Sequence, residues 1–343
     1  MNFNTIQGHD KTKRILKRAV KTGRLSHAYL FSGLEGIGKR LTAIALSKIL
    51  LCPSHGLDPC GTCSACIQVE KGNHPDLMMI SPTEKKTIPI ESIRTLKQEL
   101  SRKSFASGYK VCLIDDAETM TIAAENSLLK TLEEPPPDSI IILISAQPYR
   151  LLPTVLSRCQ HIKFQPLPIS TASALIRKKM NVDEETDSLL VSLTGGSPGK
   201  ALQLNADYVK KLRDSWIKYS EASSHASGED IFNLAEDFCR DKDTLDLRLN
   251  LLRLWYRDMI LYKVYGSSEK LLNSDKTEEI VLQSASWSLK KLLNALFCIE
   301  DYSQTLDYNV NHQLAVEALL INLNSGDESF SHRSGRATAA GMY

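Results

Sequence analysis

The sequence has no apolar run long enough to cross a membrane: its longest aliphatic stretch, Ile140–Ile144, falls far short of the roughly 20 residues a spanning helix needs. Met1–Asp10 is polar and has no apolar core, so no export signal is read there and a cytoplasmic location is expected. Net charge is nearly absent, with 42 Lys and Arg against 40 Asp and Glu, for +2. That balance argues against a strongly basic nucleic-acid coat but leaves room for a local basic face. With 17 Gly and 13 Pro among 343 residues, collagen-like and low-complexity classes are excluded. No internal repeat is visible.

What remains is the composition of a globular chain, 42% hydrophobic and 24% charged, too long for one ordinary core. Eight cysteines with no export signal read as thiols or metal ligands, because the cytosol is reducing. Strand and helix patterns alternate from Asp10 onward. Ile15, Leu16, Ala19 and Val20 mark a helix face, and Ala28–Phe31 reads as a buried strand. Leu41–Ile49 is helical, Leu77–Ile80 extended, Ile90–Arg102 helical and Val111–Ile114 extended. A helix through Leu128 and Leu132 stops before Pro135, and Ser139–Ser145 reads as a strand covered on both faces. This order predicts an α/β domain with a parallel sheet over 1–165. Two short helices, 172–180 and 184–193, predict a small helical domain over 166–205. An all-α domain is expected over 206–323, and a mobile tail poor in buriable residues over 324–343. Cys112, Cys159, Cys239 and Cys298, scattered among apolar residues, are expected to be small buried hydrophobes.

Gly33-Leu34-Glu35-Gly36-Ile37-Gly38-Lys39 lies between a strand and a helix, the setting of a phosphate-binding loop whose backbone N–H groups wrap an anion. The next residue departs from that pattern. A working loop follows its lysine with Ser or Thr, whose hydroxyl ligates Mg²⁺, whereas here the residue is Arg40. A guanidinium cannot coordinate a cation, so ATP is expected either to bind without hydrolysis or to be absent. Downstream the strand ends in Asp115-Asp116, where a hydrolytic site has Asp-Glu. The first carboxylate would support the metal, and Asp116 is one methylene short for polarising water.

Cys52, Cys60, Cys63 and Cys66 have the spacing of a tetrahedral site, an insertion of about residues 52–66. Four sulfur ligands leave no position for water, so structural Zn²⁺ is expected.

The chain resembles the AAA+ clamp loader subunits of bacterial DNA polymerase III over nearly its whole length. The resemblance rests on Gly23–Gly33 leading into the loop, the four cysteines, Asn126–Pro136, Leu156-Ser157-Arg158-Cys159 and Asn309–Glu317. It implies an ATPase-like P-loop domain, a helical lid and an all-α collar domain. It also implies a role for Arg158 in trans, as an arginine finger on nucleotide held by a neighbouring subunit. Three departures favour the non-hydrolysing branch over the ATPase subunits of gamma or tau type. They are Arg40, the absence of a lid arginine where Gly196-Ser197-Pro198-Gly199 places Lys200 one position late, and a doubtful polar sensor near Ser145 or Ala146. The alternative is an active subunit of gamma/tau type. Implied partners are the gamma/tau and delta subunits, the sliding clamp through the complex, and primed DNA through phosphates alone, with no membrane. Arg94, Lys97, Arg102 and Lys103 form a basic helix face that reads equally as solvated surface.

Overall fold

The computed structural model describes residues 2–54, 56–105, 108–222, 228–240, 244–305 and 311–324. It divides into two compact units, Met1–Leu204 and Asn205–Tyr343.

The first unit runs α1 (Asp10–Lys21), β1 (Ala28–Ser32), α2 (Lys39–Leu51), α3 (Ser64–Lys71), β2 (Leu77–Ile80), α4 (Ile90–Ser101), β3 (Lys110–Ile114), α5 (Ile122–Glu133), β4 (Ser139–Ser145), α6 (Pro153–Leu156), β5 (Gln160–Lys163), α7 (Ile169–Met180), α8 (Glu184–Leu193) and α9 (Pro198–Ala201). The five strands form one sheet in the order β2-β3-β4-β1-β5, with parallel pairing throughout. β4 lies at the centre, pairing Leu143 with Ile114 of β3 and Ser145 with Ser32 of β1, and all of its residues are buried.

The strands build two cores because successive side chains leave opposite faces. Tyr29, Phe31, Leu113, Ile142 and Ile144 share one core with Leu46 and Ile49 of α2. Leu30, Cys112, Ile114, Ile141 and Leu143 share the other with Leu96 of α4 and Leu128 of α5. Helix starts follow local chemistry. Thr121 caps α5 by accepting the Ala124 N–H, and Asp183 caps α8 by accepting that of Thr186. No apolar run announces β5, an edge strand in which only Ile162 is buried.

The second unit contains α10 (Ala206–Ala222), α11 (Gly228–Cys239), α12 (Leu245–Tyr265), α13 (Thr277–Ser286), α14 (Leu289–Thr305) and α15 (His312–Asn324). Leu252, Trp255, Tyr256 and Met259 of α12 centre its core, with Ile280, Leu292 and Leu320. Asp258 is buried among them, and its Oδ2 accepts the backbone N–H groups of Leu272 and Asn273 at 3.0 and 2.9 Å. Burial raises its carboxyl pKa.

Among the described residues, no helix is long and apolar enough to span a membrane. Of the expected tail, Asn324 closes α15 and the remainder lies outside the described residues. Only Cys112 among the four scattered cysteines is fully buried. Cys159, Cys239 and Cys298 are partly exposed, correcting the expectation for those three.

Candidate functional site

The glycine loop links the carboxyl end of β1 to α2, at the strand ends where parallel sheets bind ligands. Gly33, Gly36 and Gly38 have φ of +144°, +74° and +107°, values that glycine adopts without strain. The buried Lys39 Nζ donates to the carbonyls of Gly33 at 2.6 Å and Leu34 at 2.8 Å. Burial lowers its pKa, while Glu118, Asp115 and Asp116 oppose that shift.

Arg40, the residue at the hydroxyl position, pairs with Asp115: Nη1 lies 3.4 Å from Oδ2. Burial raises the Asp115 carboxyl pKa, and the Arg40 charge pulls it back. Asp116 is raised by desolvation, with Asp115 and Glu118 adding like-charge repulsion. The sequence pairing of loop and strand end is therefore a spatial one, closed by a guanidinium.

The helices after the sheet reach back onto the loop. Gly199 N–H donates to the Gly36 carbonyl at 3.0 Å, and Ser197 Oγ donates to the Glu35 carbonyl at 2.6 Å. Lys200 Nζ lies 3.1 Å from the Glu35 carboxylate. From the other side, His9 Nε2 lies 2.7 Å from the Ile37 carbonyl oxygen. A cleft of about 370 Å³ remains, lined in part by Lys39, Arg40, Asp115, Asp116 and Lys200. These three cations are engaged with two carbonyls, with Asp115 and with Glu35, respectively.

At the expected sensor position, Ser145 is buried. Its carbonyl accepts Gly33 N–H at 3.2 Å and its Oγ accepts Gln147 N–H at 3.1 Å. Glu118, which sequence reasoning did not single out, holds this turn by accepting Ala146 and Gln147 N–H at 2.9 and 3.2 Å.

The four cysteine sulfurs lie within 4.8 Å of one another. Cys52 Sγ is 3.6 Å from Cys60 Sγ and 3.9 Å from Cys63 Sγ, and Cys60 Sγ is 4.0 Å from Cys66 Sγ. A tetrahedral ion with Zn–S bonds of about 2.3 Å places its sulfurs at about this separation, so the residues fit the metal. Cys52 follows the last turn of α2 and Cys63 caps α3, which brings sequence-distant thiols together. Cys63 N–H and Cys66 N–H point at Cys60 Sγ and Cys63 Sγ, each at 3.4 Å. Chiefly through the Cys63 N–H, with that of Thr62, the Cys60 thiol is drawn down to about 6. Burial pushes Cys66 up to about 12.

Arg158 follows α6 on a partly exposed surface. Its Nε and Nη2 reach Glu133 Oε1 at 2.9 and 2.6 Å. Its Nη1 donates to the Thr154 carbonyl at 2.9 Å and to Ser157 Oγ at 3.3 Å. The finger candidate thus lies far along the chain from the glycine loop and is held by its own contacts. Of the expected basic helix face, Arg94 and Lys97 lie on α4, whereas Arg102 and Lys103 follow its end at Ser101; Lys97 donates to the Ser127 carbonyl and Arg102 pairs with Glu99, while Arg94 and Lys103 are exposed.

Comparison with known proteins resolves the family. The family described as DNA polymerase III, delta subunit matches residues 8–168, and its C-terminal counterpart matches residues 214–325. The delta-prime subunit of Bacillus subtilis DNA polymerase III is 33% identical over 321 residues, covering 92% of this chain and 96% of that protein. The chain belongs to the delta-prime family of DNA polymerase III subunits. The delta-prime subunit of Pseudomonas aeruginosa is 34% identical over 313 residues, 86% of this chain and 91% of that one. The tau subunit of Bacillus subtilis is 28% identical over 301 residues, 81% of this chain but 53% of its own length. The parallel sheet with its glycine loop and the helices that follow is the AAA+ architecture that the sequence resemblance implied.

Proposed function

We propose that this chain is a non-hydrolysing subunit of a clamp loader, the assembly that opens a sliding clamp and closes it around primed DNA. It works beside gamma/tau and delta subunits and supplies Arg158 to nucleotide held by a neighbouring ATPase subunit. The observation that carries this reading is the Arg40–Asp115 pair. In a hydrolytic loop the corresponding hydroxyl and carboxylate support Mg²⁺ directly and through water. Here the Arg40 guanidinium lies beside that carboxylate, and a guanidinium cannot ligate the metal that bridges β and γ phosphates. The two carbonyls on Lys39 support the same reading, because a phosphate reaching Nζ would have to displace partners already in place.

The arginine-finger role is supported by family membership and by the partial exposure of Arg158. A finger provided in trans is worth about 10³–10⁵ in rate at the site it serves. Cys52, Cys60, Cys63 and Cys66 would hold one structural Zn²⁺. With four thiolates on it the ion supplies no catalysis and fixes the segment between α2 and α3. Contact with primed DNA would run through phosphates, since loading requires no base readout.

Incubating the purified chain with ATP and Mg²⁺ and measuring phosphate release tests the non-hydrolysing assignment. No release above buffer is expected. Multiple turnover at the rate of a gamma/tau subunit would overturn the assignment in favour of an active ATPase.

A further inference from the structure

Glu133 is the last residue of α5, and its side chain is half exposed. In the structure its Oε1 takes both Nε and Nη2 of Arg158, and the opposite edge of the guanidinium rests on Thr154 and Ser157.

A guanidinium has five N–H groups spread over three nitrogens, and its strong grip on a phosphate is bidentate, through two parallel bonds. All three nitrogens of Arg158 are engaged within its own domain. A bidentate contact with phosphate therefore requires at least one edge to change partner. The Thr154 carbonyl belongs to the backbone and turns with α6, whereas Glu133 is an exposed side chain that can swing into water. Exchange of its carboxylate for a phosphate oxyanion keeps an anion on the guanidinium throughout, so the release exposes no unpaired charge. The carboxylate and the phosphate compete for the same donors.

We propose that Glu133 is a latch for Arg158: it holds the finger on its own domain until nucleotide on the neighbouring subunit is brought close enough to replace it. This rests on the assignment of Arg158 as a finger. Glu133 is a positioning residue under this scheme and touches no reacting atom. The latch keeps turnover low before DNA engages and leaves the engaged rate set by Arg158 itself.

The test uses the reconstituted loader, with ATP turnover measured in the absence and presence of primed DNA. Glu133→Gln keeps the size of the side chain and removes its charge. It is expected to raise DNA-independent turnover about two- to fivefold, the factor an exposed carboxylate–guanidinium pair is worth, with the DNA-stimulated rate little changed. Glu133→Ala should shift the ratio in the same direction, which simple loss of structure would not do. Both gains should vanish in combination with Arg158→Ala. Turnover that falls with Glu133→Gln makes Glu133 a support holding the finger outward and overturns the latch, as does an unchanged ratio. If Arg158→Ala alone leaves turnover intact, the finger assignment fails instead, so the two failures are distinguishable.

Discussion

The backbone of Gly199 rests on the backbone of Gly36, with N–H to carbonyl oxygen at 3.0 Å. A Cβ on Gly199 would meet the Gly36 oxygen at 2.5 Å, and one on Gly36 would meet Ser197 Oγ at 2.5 Å. Glycine at both positions lets the segment after α8 close on the phosphate loop. Helix propensity alone favours alanine over glycine by about 1 kcal/mol, so Gly199→Ala in α9 would ordinarily stabilise. The clash reverses the sign, and a loss of about 1–3 kcal/mol is expected. Urea denaturation of the purified chain checks it: a raised midpoint would mean the contact is dispensable.

The four-cysteine cluster carries a prediction about protons. Cys66 sits at about 12 and Cys60 at about 6, so near pH 7.5 Cys66 is a thiol and Cys60 largely a thiolate. Zn²⁺ binding to the apo chain should therefore release protons, and fewer of them as pH rises. Calorimetry in buffers of different ionisation enthalpy reads that release. Cys63→Ser, which removes one of four thiolates, should weaken zinc retention against a chelator and lower thermal stability.

His9 links acidity to the same loop. Burial holds its pKa below 6.5, although its contact with the Ile37 carbonyl pulls the other way. The folded state thus favours the neutral ring. Its stabilising contribution is complete above the unfolded value near 6.5 and is lost as pH falls through the lower folded value. Denaturation midpoints measured from pH 7.5 down to 5 should fall, and His9→Gln should flatten that part of the slope.

In the second unit, Asp258→Ala removes the acceptor for the Leu272 and Asn273 N–H groups and for Asn273 Nδ2 at 2.8 Å. Leaving such buried donors unpaired costs about 1–3 kcal/mol each. A loss of about 3 kcal/mol or more is expected in denaturant, against less than 1 for exposed Asp246→Ala.

Much of this architecture was readable because its signals are local. The run Ser139–Ser145 is aliphatic because β4 is covered on both faces, and the loop glycines and the cysteines each fall within one short stretch of sequence. β5 was not readable: an edge strand burying only Ile162 leaves no hydrophobic pattern. The site's closure was equally hidden. Arg40 announced a defect, but its partner Asp115, the grip of Ser197 on Glu35 and the hold of Glu133 on Arg158 join residues far apart in the chain. Lys200, one position late for a lid arginine, is paired with Glu35. Partners of this kind are chosen by tertiary packing, which periodicity does not encode.

The most direct test of the account compares Arg158→Ala with Lys39→Ala in the reconstituted loader, reading DNA-stimulated ATP turnover. A chain that acts on its neighbour and not through its own loop predicts that Arg158→Ala slows the adjoining site about 10³-fold or more, lowering turnover of the assembly, while Lys39→Ala leaves it unchanged. Turnover lost with Lys39→Ala and kept with Arg158→Ala would contradict it.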